Sequence, residues 1–330
     1  MSGKFSIMLA FPEMTDRLHS CAVSIDLDPL RCYHAILGLP PVEDALAEVV
    51  MARAVPRFAE IFARRRLHAT FFVVGEDLAS PIGAQRVAEL AQTGHEIGNH
   101  SQTHPYELAR MPEGHIDQEI GAAEEQIRAV TGRRPVGFRA PGYDLSPRVL
   151  RCLERRGYRY DSSVFGSWSY YAAKASVMAA LGLVGRPSGA VLIDPRALLA
   201  PTTPYRPGTN PFARGQSTLV ELPIAVSRGL RMPLIGTYLL AGPSAMRARL
   251  VDAALAQPFF NFELHGLDLL GADEDGLPPG LVRRQADLRV PLATKLRAFE
   301  DLLDRIAERG RFVTLAEAAI EVQREGYVAA

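Results

Sequence analysis

Short apolar runs alternate with longer amphipathic stretches through most of this 330-residue chain, and that alternation restricts the fold more than any single motif. Strand-like and helix-like segments taken in turn predict a parallel sheet or barrel with helices outside it. Cys21 to Ile25 reads as the first strand, Val42 to Arg66 as a helix ending in cations that suit its dipole, and His68 to Val74 as the next strand. Gln85 to Thr93 is helical with Gly94 as its stop, Glu96 to Asn99 is a strand, and Ile116 to Thr131 is a helix ended by Gly132. Gly137 to Arg139 is a short strand. Ser146 caps a helix with Pro147 at its first position, running to Arg156 before the strand Tyr158 to Asp161. Phe259 to Leu264 is a strand with His265 at its end, and a helix at Leu292 to Arg309, a strand at Arg311 to Thr314 and a helix at Leu315 to Arg324 close the pattern. From 164 to 260 the rhythm loosens, with Pro, Gly and Arg collected in Arg186 to Gly189 and Pro201 to Gly215, which predicts an elaborated insertion or cap. One domain is expected over residues 1–330, with its core over about 20–320.

Composition excludes several classes of partner. Lys plus Arg and Asp plus Glu are both 37, so no net basic field draws the chain to nucleic acid. The three cysteines, Cys21, Cys32 and Cys152, have no CxxC spacing and predict neither a disulfide framework nor a zinc knuckle; a reducing compartment fits. Lys4, Glu13, Asp16 and Arg17 interrupt any apolar run near the start, so no signal peptide is read and a cytoplasmic place is expected. Ala175 to Val184 spans roughly ten residues against the roughly twenty of a membrane helix. It reads as a cap helix packed on the barrel, or alternatively, with Trp168, Tyr170 and Tyr171, as an apolar wall for a lipid tail peripheral to a membrane.

Three separated pieces carry the chemistry. Ser24-Ile25-Asp26-Leu27-Asp28, His100-Ser101-Gln102-Thr103-His104 and Phe262-Glu263-Leu264-His265 together suggest a metal-dependent hydrolase site. Histidines at i and i+4 can meet one ion from a helical turn or tight loop, and a carboxylate from a distant strand makes three protein ligands with a position open for water. Reacting groups of such barrels gather at the carboxyl ends of strands, where Asp26 to Asp28, His100 to His104, Arg139 to Tyr143, Asp161 and His265 all fall. His95 reads as structural, and His19, His34, His68 and His115 have no partner at ligand spacing.

With Ala69-Thr70-Phe71-Phe72-Val73, Gly94-His95-Glu96-Ile97-Gly98-Asn99 and Phe138-Arg139-Ala140-Pro141 added, the chain resembles the polysaccharide deacetylase family, the NodB-homology or carbohydrate esterase group, from about Cys21 to Ala319. Leu27 between the two aspartates resembles the subgroup with a D-x-D first motif, which includes lipid-linked aminoarabinose deformylases, some peptidoglycan deacetylase-like proteins and allantoinase-like amidohydrolases. The resemblance implies a distorted (β/α) TIM-like barrel of about seven strands. It implies one divalent metal on Asp28, His100 and His104, zinc before cobalt, nickel, manganese or iron. Asp26 would be the catalytic base, oriented by Arg139, and His265 the acid, supported by Asp161. Pro141, Gly142, Tyr143 and Leu264 would contact substrate. The implied reaction removes an N-acyl group, in the first place N-acetyl, from a sugar, polysaccharide or glycolipid. Opening of a cyclic amide or ureide, deformylation of a lipid-linked sugar, and a catalytically silent glycan-binding barrel are the other readings. Asp268, Asp273, Glu274 and Asp275 read as a polar loop, and the sequence leaves the oligomeric state open.

Overall fold

A computed structural model describes residues 19–183, 185 and 188–324. The charged residues near the start that argued against a signal peptide lie outside these, as do Val184, Arg186 and Pro187. Among the described residues eight strands form one sheet in which every named pair is parallel: β1 (His19–Asp26), β2 (Thr70–Val73), β3 (Glu96–Asn99), β4 (Gly137–Phe138), β5 (Tyr160–Asp161), β6 (Val220–Glu221), β7 (Phe259–His265) and β8 (Gly310–Val313). Seven of them follow the order β6-β5-β4-β3-β2-β1-β7, and β8 pairs with the first half of β1 while β2 pairs with its second half. The sheet ends approach one another where Ala225 N–H donates to Asn261 O at 3.1 Å and Ile235 bridges Glu263. This is the parallel sheet with outer helices expected from the alternation, in the distorted (β/α) barrel form that the resemblance implies.

Helices α1 (Leu30–Ile36), α2 (Val55–Arg65), α3 (Pro81–Gln92), α4 (Glu113–Thr131), α5 (Pro147–Arg155), α6 (Trp168–Leu183), α7 (Gly236–Leu239), α8 (Ser244–Leu255), α9 (Pro279–Arg284), α10 (Leu292–Ala307) and α11 (Leu315–Arg324) connect the strands. Parallel strands covered on both faces read as continuous apolar runs, and all four residues of β2 are buried. Phe58 and Phe62 of α2 meet Phe71 of β2 and Phe299 of α10 with centroids 5.7–6.3 Å apart, the aromatic centre of the layer between sheet and helices. Ser146 caps α5 by accepting from Val149 N–H, and Pro147 occupies its first turn, as the sequence predicts.

Two expectations change. The continuous helix from Val42 to Arg66 is a 3-10 turn at Asp44–Leu46, a π turn at Val50–Ala54 and then α2. Pro56 cannot donate to the turn before it, and the wider π turn absorbs that loss. The segment 164–260 is not only an insertion: it supplies β6, and α8 packs beside α10 on the barrel wall. A strand of two residues has no period for sequence to display. Among the described residues no helix is long and apolar enough to cross a membrane.

Candidate active site

Register brings the first and last motifs together before any side chain is considered. Asp26 is the partner of His265 across β1 and β7, so both project at the carboxyl rim of the sheet. Beyond Asp26 the chain turns at Pro29 into α1, which leaves Asp28 above the rim.

The histidine pair stands on a tight loop after β3, not on a helix. Asn99 Oδ1 accepts Ser101 N–H at 2.8 Å, Ser101 Oγ accepts His104 N–H at 3.1 Å, and Glu119 of α4 accepts from the backbone of Gln102 and Thr103. Ser101 and His104 have φ of 64° and 61°, and Tyr143 has 66°; the described residues hold only two other non-glycines at positive φ, Arg66 and Arg231. Left-handed backbone costs roughly 1–2 kcal/mol per non-glycine residue, and strain persists where surrounding bonds over-determine it. Here those bonds aim both imidazoles at Asp28.

Asp28 Oδ1 lies 3.1 Å from His100 Nε2 and 3.2 Å from His104 Nε2. His100 Nδ1 is 2.7 Å from the carbonyl of Arg139, an acceptor, so Nδ1 carries the proton and the neutral ring turns its Nε2 lone pair toward Asp28. Both ring nitrogens of the buried His104 lack a hydrogen-bond partner. Acceptors converging on one buried point are repulsive unless positive charge stands between them, so the set fits a divalent cation, with hard oxygen and borderline nitrogen donors. Burial works to raise Asp28 against the two histidines, which prevail and hold its carboxyl well below the usual range. Burial likewise opposes the charge on His100, but Asp26 and Asp28 raise it overall. The donor atoms of the three residues lie within 4.8 Å of one another.

Arg139 is wholly buried. Its Nη1 donates to Asp26 Oδ1 at 2.6 Å, its Nη2 to Ser24 Oγ and Ser162 Oγ at 3.0 and 2.8 Å, and its Nε to the Ser162 carbonyl at 2.7 Å. The guanidinium lies 4.3 Å from the Phe72 ring centroid. Asp26 is thereby fixed, with Oδ2 4.0 Å from His100 Nε2.

His265 differs from the expectation in its partner. Nδ1 is 3.0 Å from Glu263 Oε1, Nε2 is 3.2 Å from the Tyr143 hydroxyl and 4.0 Å from Asp28 Oδ2, and the backbone N–H donates to Asp268 at 2.8 Å. Burial opposes a charge on His265, but Glu263, Asp28 and Asp26 outweigh it and raise the ring to about 9. Burial pushes the Glu263 carboxyl up. Asp161, expected to support His265, instead faces Ser163 and Glu221 on the neighbouring strand; burial and Asp161 push the Glu221 carboxyl well up. Glu263 was legible in principle, because i and i+2 on a strand share a face. By the same alternation Leu264 points the other way into the core, fully buried, and does not line the site. Pro141 is also buried away from the cavity, whereas Gly142 and Tyr143 border it. Asp268 is no surface loop: it is buried, clamped by His265 N–H and Thr237 Oγ1. The loop's Asp275 pairs with Arg57 on both oxygens. His95 is structural, its Nδ1 accepting Ala69 N–H at 3.1 Å.

Residues 44–160 match the polysaccharide deacetylase family model, a span that contains His100, His104 and Arg139 but neither aspartate of the first motif nor His265. A peptidoglycan deacetylase of Helicobacter pylori is 26% identical over 145 residues, 43% of this chain and 48% of that protein. A peptidoglycan-N-acetylmuramic acid deacetylase of Bacillus subtilis is 29% identical over 116 residues, 34% of this chain and 43% of that protein. The matched stretches thus span less than half of either relative. A crystal structure from Mycobacterium smegmatis, provisionally assigned as a polysaccharide deacetylase, covers 96% of this chain and 94% of its own at a TM-score of 0.56 and 18% identity, a likeness of fold. The motifs, the barrel and the matched segment agree in one likeness: residues 44–160 are similar to the polysaccharide deacetylase family.

Proposed function

We propose that the protein hydrolyses an N-acyl amide, in the first place an N-acetyl group on a sugar, glycan or glycolipid, with one divalent cation bound by Asp28, His100 and His104. The observation that carries this reading is the convergence of Asp28 Oδ1 and the two imidazole Nε2 atoms at 3.1 and 3.2 Å, with Nδ1 of His100 already committed to a carbonyl. Zinc, cobalt, nickel, manganese and iron(II) all suit such ligands. The cation would supply a Lewis acid at the amide carbonyl and lower the pKa of a water beside it.

The residues of the chain divide the proton transfers. Asp26, with Oδ1 held by Arg139, presents Oδ2 to accept the proton of the attacking water. His265 gives a proton from Nε2 to the departing amine, and Glu263 behind Nδ1 favours the charged ring that this requires. Tyr143 hydroxyl, 3.2 Å from Nε2, holds that nitrogen toward the cavity. The N-acetylated glycans acted on by the named relatives support the choice of acyl group.

Calorimetric titration of metal-stripped protein with zinc, beside His100→Ala, tests the reading. About one equivalent bound by the parent and lost in the variant is expected, together with acetate release from N-acetylated sugars. A folded parent with no saturable site defeats it.

A further inference from the structure

Asp28 and His100, two of the three candidate ligands, form one corner of a cavity of about 590 Å³ with Asp26 and His265, within the range of drug-sized ligand sites. Away from that corner its walls are largely apolar. Ile36 of α1 and the adjoining Leu37, Val177 and Met178 of α6, Ile235 just before α7 and Tyr238 within it all face it. Helix α6 is unusual in its packing. Tyr170 anchors its first turn against Phe165 at 4.9 Å, yet no described side chain of the helix is buried. Lys174 is its only charged residue, and Val177 remains 48% exposed. A helix of this composition ordinarily buries a face against a core. The first turn of α6 packs on the barrel core through Tyr170 and Tyr171, and beyond that turn Ala173, Val177, Met178 and Ala180 border the cavity as an apolar wall beside the candidate catalytic groups.

We infer that the cavity receives a compact aliphatic or aromatic body attached to the scissile amide, so that the substrate is an amphiphilic N-acyl compound rather than an extended polysaccharide. This rests on the hydrolase reading above. Sugar hydroxyls laid along Val177, Met178 and Ala180 would lose water without gaining side-chain hydrogen bonds, which disfavours a glycan there. An alkyl or aryl group gains by the same burial, and continuity with Asp26, Asp28 and His265 delivers its amide to the reacting corner.

The test is calorimetric titration of zinc-loaded protein with n-alkyl hydroxamates of increasing length, beside mono-, di- and tri-N-acetylchitooligosaccharides. Affinity is expected to rise roughly four-fold per added methylene until the cavity is filled. That slope should flatten in Val177→Asn and in Ala173→Trp, both on the half-exposed helix, with zinc binding retained. Affinity independent of alkyl length but rising with sugar length overturns the inference and leaves the hydrolase reading standing. If zinc does not bind, n-alkyl amides titrated into metal-free protein decide separately: a chain-length slope supports the cavity's assignment, and its absence overturns it. Co-sedimentation with phosphatidylcholine vesicles carrying decanohydroxamate identifies a membrane-borne amphiphile, and binding of the same compound only below its aggregation limit identifies a free one; each supports the apolar body.

Discussion

Replacing Arg139 by Met removes a buried cation and leaves its partner behind, and the cost follows from what surrounds it. Arg139 is 0% exposed and Asp26 1%, and they meet at 2.6 Å. Leaving one buried charge uncompensated costs about 3–5 kcal/mol. The Ser162 carbonyl loses its Nε donor, a penalty of about 1–3 kcal/mol, while Ser162 Oγ keeps its bonds to Leu222 O and Asn261. Arg139→Met should therefore cost at least about 4 kcal/mol. Asp26→Asn alone should also be costly, since it leaves the guanidinium facing a neutral amide. The double variant removes both charges and should recover about 2 kcal/mol or more relative to the sum of the singles. Urea denaturation followed by far-UV circular dichroism, at pH 7 with a chelator present, reads all four corners. A single Arg139→Met penalty under about 1 kcal/mol, or strictly additive singles, would refute the claim that this pair is one electrostatic unit.

Two further outcomes follow from the same geometry. Glu263→Gln takes a carboxylate from beside His265 Nδ1, so the ring, raised to about 9, should lose its proton at lower pH; the alkaline limb of the activity profile should move down by about 1–2 pH units, and an unmoved limb removes Glu263 from this role. His95 is held neutral by burial and its neighbour His68, its value lowered from 6.5 to about 4, so the unfolded chain binds more protons in that window. Stability from this group is whole above pH 6.5 and is lost as pH falls toward 4, by roughly 3 kcal/mol at about 1.4 kcal/mol per pH unit. His95→Gln should lessen the drop in unfolding free energy between pH 7.5 and 4.5 by about 2.5 kcal/mol; an equal drop in both proteins would show that His95 is not held neutral by the fold.

The convergence of Asp28, His100 and His104 was readable because two histidines four apart and a strand-end carboxylate form a pattern whatever the backbone between them does. The loop that aims them was not, because its left-handed Ser101 and His104 depend on Asn99 and on Glu119 of a separate helix. Long apolar strands such as β1 and β7 announce themselves; β6 has two residues and owes its place to neighbours. The assignment of Asp161 to His265 failed since rim position alone does not say which way a side chain turns, and Asp161 turns to Glu221. The period of two in β7 does carry the arrangement, with Glu263 on the face of His265 and Leu264 in the core.

The pairing of β1 with both β7 and β8 has a consequence for how the protein is made. A ribosome that has released the chain only through Ala225 has exposed Asp28, His100, His104 and Arg139, yet β1 then has β2 as its sole partner within the sheet. Its other edge waits for Phe259–His265, and its first half for Gly310–Val313, nearly three hundred residues downstream. The residues of the candidate cation corner are thus spelled out early in synthesis, whereas His265 and the strands that lock the barrel arrive last.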